Sequence, residues 1–262
     1  MQFTFLKACY HPRYVLMPFL LFLFAICGQA QLTTSQVDSL KKSHPGFEYK
    51  FTFKNTILPS TMILVGLVSV ESDGVKFING NIREEVLEHI DDRYTIDDFL
   101  QWAPGAAVYA LNLSGIKGKH NFKDRTVIYA SSLLLMSGIV TGLKHYTNLE
   151  RPDHSSDNSF PSGHTATAFV NAEFLFQEYR DVSLWYGVTG YLAASTVGIY
   201  RVVNNRHWIT DVIGGAGIGI LSTKFCYFLH ERIKFNRRRN LLAMPYYNPT
   251  KQQFGLGVSY RF

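Results

Sequence analysis

Cysteine is nearly missing from this chain, with three in 262 residues, at positions 9, 27 and 226. Two of these fall in a leader-like stretch, so no intrachain disulfide framework is expected. Charge is thin as well, at 18% of residues against the roughly 25% usual for soluble domains. Internal repeats and low-complexity linkers are absent, which argues against a solenoid or a disordered chain. The net charge of +6 is modest and is carried partly by two blocks, Lys117 to Arg125 and Arg232 to Arg239. Neither block is interleaved with the aromatics of a nucleic-acid groove. Both read as solvated or facing lipid headgroups, and no nucleic-acid partner is expected.

Apolar residues are plentiful. Hydrophobic residues make up 47% of the chain and aromatics 15%, enough for one sizeable core and a lean toward membrane contact. At the N-terminus, Lys7 and Arg13 precede the apolar run Tyr14 to Cys27, and Gly28-Gln29-Ala30 offers small residues. Residues 1–30 therefore read as an export signal, with a mature chain starting near Gln31. An uncleaved anchor is one alternative. A lipoprotein signal at Cys27 is another, although Ile26 stands where a small residue would be wanted.

Six further apolar segments follow, near Ile57 to Val70, Phe99 to Leu113, Thr126 to Leu143, Thr165 to Phe176, Ser183 to Tyr200 and Trp208 to Leu229. Their length and small-residue content are helical, so the expected fold is an all-α six-helix bundle, membrane-associated. The third, fifth and sixth approach the roughly 18 to 20 residues that span a bilayer. If the basic blocks are cytoplasmic, the loops between them face outward. A cleaved signal conflicts with that placement unless one early segment does not cross. At the C-terminus, Phe254, Leu256, Val258, Tyr260 and Phe262 alternate with small or polar residues, and Asn248-Pro249 can turn a hairpin with Leu241 to Tyr247. That ending resembles a final barrel strand, yet one hairpin cannot close a barrel. The expected organisation is a signal at 1–30, an N-terminal segment with the first helix at 31–96, a catalytic core at 97–230 and a basic stretch with a β-like tail at 231–262.

Three polar clusters carry the chemistry, all between Lys144 and Asp211. In the last, His207 and Asp211 are four residues apart ahead of an apolar run, a spacing that puts both on one helical face. Asp211 can then hold the Nδ1 proton of His207 and leave Nε2 bare to attack. The same spacing also suits an ordinary surface pair. In the middle cluster, Pro161-Ser162-Gly163-His164 opens a helix, with Pro161 at the first helical position and free amides suited to an anion. Gly163 would let backbone approach an oxyanion, and His164 could protonate a leaving alkoxide. In the first cluster, Lys144 and Arg151 are two helical turns apart and can point to one place. Each cluster alone could be an unremarkable helix end; their joint occurrence in order points to phosphoryl transfer.

Together these residues resemble the type 2 phosphatidate phosphatase and vanadium haloperoxidase superfamily, over roughly Leu100 to Leu229. The pattern is Lys-six-Arg-Pro, Pro-Ser-Gly-His, and Ser-Arg-five-His-three-Asp. The resemblance implies that His207 is the nucleophile forming a phosphohistidine, His164 the general acid and Asp211 the residue that orients His207. It further implies a phosphate-binding set of Lys144, Arg151, Ser162, Gly163 and Arg201, with no metal and no cofactor. Tyr200 stands where the pattern has serine, and the segment Asp153 to Phe160 is short enough to form only a small polar lip. The expected protein is an exported, membrane-bound phosphatase for a lipid phosphate or diphosphate, with its site on the periplasmic side. Rival readings are a soluble exported acid phosphatase for small phosphomonoesters, a vanadate-dependent haloperoxidase and a non-catalytic membrane scaffold.

Overall fold

The computed structural model of the chain describes residues 53–89, 95–238, 241–248 and 253–260. The chain divides into two units, Met1–Tyr49 and Lys50–Phe262, and every described residue lies in the second. The leader-like stretch at 1–30 falls outside the described residues.

The expected all-α character holds for the body of the protein, with eight helices among the described residues where six were expected. They are α1 (Lys54–Glu71), α2 (Asp73–His89), α3 (Asp97–Leu100), α4 (Ala103–Leu113), α5 (Phe122–Thr147), α6 (Gly163–Tyr179), α7 (Leu184–Val203) and α8 (Ile209–Arg238). Two causes account for the extra pair. The segment from Phe99 to Leu113 is two helices, because Pro104 sits in the first turn of α4 and makes a start there. Helix α2 carries too many charges to form an apolar run, but Val75, Ile78, Ile82 and Val86 recur at helical spacing.

Helix α6 forms the centre, packed by α4, α5, α7 and α8, while α8 also packs on α1. Glycines set how closely α8 lies on its neighbours. A Cβ on Gly215 would stand 2.6 Å from the Ser162 carbonyl oxygen, and one on Gly219 would stand 2.4 Å from that of Ala166. The far end of α6 is polar yet buried. Glu173 is fully buried, pairs with Lys224 at 2.9 Å and also accepts from Gln177 and Tyr191. Glu178 accepts from His120 and Tyr227, and the buried Arg125 guanidinium stands 3.9 Å from it. Arg125 is thus not part of a solvated basic face, as the charge pattern suggested; a carboxylate inside the protein draws it in.

Two helices are long and apolar enough to cross a membrane, Phe122–Thr147 and Ile209–Ile233. The expected third, α7, does not qualify, because Tyr, Thr, Ser and Gly take up much of its length. Beyond the helices, β1 (Leu241–Asn248) pairs antiparallel with β2 (Gln253–Tyr260), Leu241 opposite Tyr260 and Asn248 opposite Gln253.

Candidate active site

Four chain segments meet around His207: the end of α5 with the loop after it, the start of α6, the end of α7 and the start of α8. Lys144 lies in the last turn of α5, which Asn148 ends in the left-handed conformation at φ 44°. Arg151 therefore belongs to the following loop, not to the helix face expected from its spacing. It still comes near Lys144, because its Nε donates to the Asn158 side chain at 3.0 Å while Lys144 Nζ donates to the Asn158 carbonyl. The segment from Asp153 to Phe160 is more than a lip. It fastens both cations through Asn158, and Ser159 Oγ donates to Asp211 Oδ2 at 2.5 Å.

At the start of α6 the capping residue is Ser162, so Pro161 lies just outside the helix, two positions before the first helical position expected for it. A serine hydroxyl can accept from the first-turn amides, a role closed to proline. Ser162 Oγ accepts from the Thr165 amide at 3.4 Å and lies 2.9 Å from Thr165 Oγ1, so this buried hydroxyl is engaged within the protein. The first-turn amides after it have no intrahelical acceptor. Among the described residues a Cβ at Gly163 would meet only Val140, at 3.9 Å, so none of them fills the space in front of that glycine.

His207 and Asp211 do not share a helix. Helix α8 begins at Ile209, leaving His207 in the turn before it and Asp211 in the first turn. Asp211 Oδ2 reaches back to the Trp208 amide at 2.9 Å, the return half of a capping box. The same oxygen is 3.5 Å from His207 Nδ1, at the outer edge of hydrogen-bonding range. The Asp211 carbonyl also accepts from the Ser162 amide at 3.1 Å, which ties two of the motif clusters together through backbone.

Both histidines are pushed toward the neutral form. Burial takes His207 down to about 4; the Asp211 carboxylate pulls against that shift, while Lys144 and Arg201 add to it. His164, about one-third exposed, is lowered by burial first and by Arg201 next, with Asp98 and Asp97 pulling it back up. Those two aspartates are residues that motif reasoning missed. Asp98 Oδ1 stands 2.9 Å from His164 Nε2, and buried Asp97 accepts from Arg201 at 2.8 Å. The one signal for them is an acidic pair at the head of an apolar segment, which reads as a helix start. Helix α2 adds two more unforeseen contacts: Asn79 donates to Thr210 at 2.9 Å and Arg83 to Asn205 at 3.1 Å. The structure thus brings Lys144, Arg151, Gly163, His164, Arg201, His207 and Asp211 to one place. The Ser162 hydroxyl is engaged with Thr165.

Comparison with known proteins finds relatives of this chain. The chain is 36% identical over 212 residues to a lipid A 1-phosphatase of Porphyromonas gingivalis, covering 79% of this chain and 46% of the relative, so it spans about half of that protein's length. It is 33% identical over 152 residues to phosphatidylglycerophosphatase B of Bacillus subtilis, covering 52% of this chain and 74% of the relative. The crystal structure of a transmembrane PAP2-type phosphatidylglycerolphosphate phosphatase from Bacillus subtilis aligns at 23% identity and TM-score 0.46, over 67% of this chain and 97% of that one. Residues 125–235 match the PAP2 superfamily itself, and with a relative matched over three-quarters of its length this chain belongs to that superfamily.

Proposed function

We propose that the protein is a metal-independent phosphatase that hydrolyses a phosphomonoester borne on a lipid, through a phosphohistidine at His207. The observation that carries this reading is the cationic cage facing a neutral, buried imidazole. Lys144, Arg151 and Arg201 lie within electrostatic reach of one another, Lys144 and Arg151 also of Asp211, and Arg201 Nε is buried with no acceptor among the described residues. A buried guanidinium N–H without a partner costs about 1 to 3 kcal/mol, and a phosphoryl oxygen would satisfy it. With Asp211 on the Nδ1 side of His207, Nε2 is the nitrogen that attacks phosphorus. His164 gives its proton to the leaving alkoxide as the P–O bond breaks. Water then attacks the phosphohistidine, His164 takes up its proton, and inorganic phosphate leaves. The cations neutralise the equatorial oxygens throughout, in a cage set before the substrate arrives.

The lipid part of the reading rests on the relatives' names and on the outward faces of the helices. Leu58, Leu64 and Val68 on α1, Leu134 on α5, and Leu184 and Leu192 on α7 are all exposed, an apolar excess that suits a bilayer better than water. We place the catalytic core at residues 97–230, the paired strands outside it as a tail, and the site on the exported side of the membrane. Phosphatidylglycerol phosphate, phosphatidate and lipid A phosphate fit as monoesters; a prenyl diphosphate fits the same cage. The test is phosphate release by purified protein from a panel of these lipids in EDTA, beside His207→Ala. Release that survives chelation and disappears in the variant is the expected result. Release only from small water-soluble esters would overturn the lipid assignment, and release unaffected in the variant would overturn the mechanism.

A further inference from the structure

The catalytic chemistry just proposed needs a His164 that uses one nitrogen throughout, and the residues that hold it come from outside the segment that matches the superfamily. Helices α2 and α3 precede residue 125, yet four side chains from them reach residues at the site. Asn79 holds Thr210, Arg83 holds Asn205, Asp97 holds Arg201 and Asp98 holds His164. The last contact has a chemical consequence that the others lack. An imidazole has two nitrogens, and the partner of one decides what the other can do. Asp98 Oδ1 stands 2.9 Å from Nε2, while Nδ1 makes no hydrogen bond to the described residues.

We propose that Asp98 is a positioning residue for His164: its carboxylate accepts the Nε2 proton and so assigns proton transfer with the leaving oxygen to Nδ1. In the acid form both nitrogens carry protons, and Nδ1–H is given up as the P–O bond breaks. The neutral ring that remains keeps Nε2–H on Asp98 and presents a bare Nδ1. That lone pair then takes a proton from the water attacking the phosphohistidine, restoring the acid form. Asp98 stays ionised throughout and never exchanges a proton with the substrate. Without it, the neutral ring could hold its proton on Nδ1, leaving nothing there to accept the proton of water.

The charged groups facing His164 are Asp98 and Asp97 from α3 and Arg201 from α7. Arg201 is committed to Asp97, a pairing that leaves Asp98 to the histidine. Adjacent acids on one short helix thereby serve the two neighbours separately, and the pair is legible only once α3 is placed against α6 and α7.

This proposal rests on the reading of His164 as acid and base, and the experiment separates the two. Full-length protein with 15N-labelled imidazoles, in detergent micelles, gives the tautomer of His164 directly once its signals are assigned with His164→Gln. The expected wild-type state at neutral pH is Nε2–H with bare Nδ1, lost or mixed in Asp98→Ala. In lipid phosphate hydrolysis, Asp98→Ala should lose roughly tenfold to a hundredfold in kcat, less than the full contribution of proton transfer, with KM little changed. Asp98→Asn keeps the shape but not the charge, and should move the falling limb of kcat/KM to lower pH. It also supplies both readouts if the alanine variant does not fold. A wild-type Nδ1–H tautomer, or variants matching wild type in both tautomer and pH profile, would overturn the proposal. Absence of any hydrolysis by the wild type would instead remove the proposed function, leaving the tautomer measurement to decide the role of Asp98.

Discussion

With His207 held neutral by burial, the acid side of the pH profile follows that imidazole. On the proposed mechanism the nucleophile must be deprotonated, so kcat/KM should rise with pH through about 4, the value that burial gives His207. The proposed acid, His164, must be protonated, and its shift is downward from the ordinary 6.5, so the falling limb should lie below that value. The expected profile is a bell on the acid side of neutrality, measured as initial rates on a soluble short-chain lipid phosphate. Asp97 offers a second test at this scale. It is 1% exposed and paired to Arg201, and removal of one partner from a buried pair costs about 3 to 5 kcal/mol. Asp97→Ala should therefore lower the thermal midpoint as well as activity, whereas Asp98→Asn, half exposed at its site, should affect activity alone. The motif residues were legible because their spacing is local. Asp97, Asp98, Asn79 and Arg83 were not, since their partners lie between 66 and 131 residues away in the chain.

Among the elements, α8 determines how deep the site sits. Its glycine face allows the backbone of α8 to rest on the first turn of α6, with Gly215 against the Ser162 carbonyl. Gly215→Ala forces that carbonyl to move, at a cost of about 1 to 3 kcal/mol for an overpacked contact. The expected result is a lower thermal midpoint together with a drop in kcat, because the displaced turn carries Gly163 and His164. Gly138→Ala, on α5 with nothing within 4 Å, should leave both unchanged and serves as the control. Apolar run length located α1, α5, α6 and α8 well in the sequence. It passed over α2, whose signal is periodicity among charges, and it merged α3 with α4. It also placed Arg151 and His207 on helices, although an αL asparagine and a capping aspartate put both of them in loops. Those are capping effects, decided by a single residue's backbone or side chain, and segment hydropathy is blind to them.

For the molecule as a whole, the exposed apolar faces and two helices of membrane-crossing length lead to a simple expectation. The protein should stay in the membrane pellet through high salt and alkaline carbonate and leave it only with detergent. Appearance in the salt wash would remove the bilayer from the reading. The grip of α2 and α3 on the site also bears on how this protein could be taken apart. Residues 125–235 contain both histidines, all three cations and Asp211, so on the proposed mechanism they look like a complete and portable catalyst. Transplanted into another scaffold, that block would arrive with Arg201 and His164 stripped of their carboxylates. A chimera meant to borrow the proposed activity needs its junction upstream of Asp73, because the candidate site is assembled from the superfamily's segment and from a part of the chain that the segment does not contain.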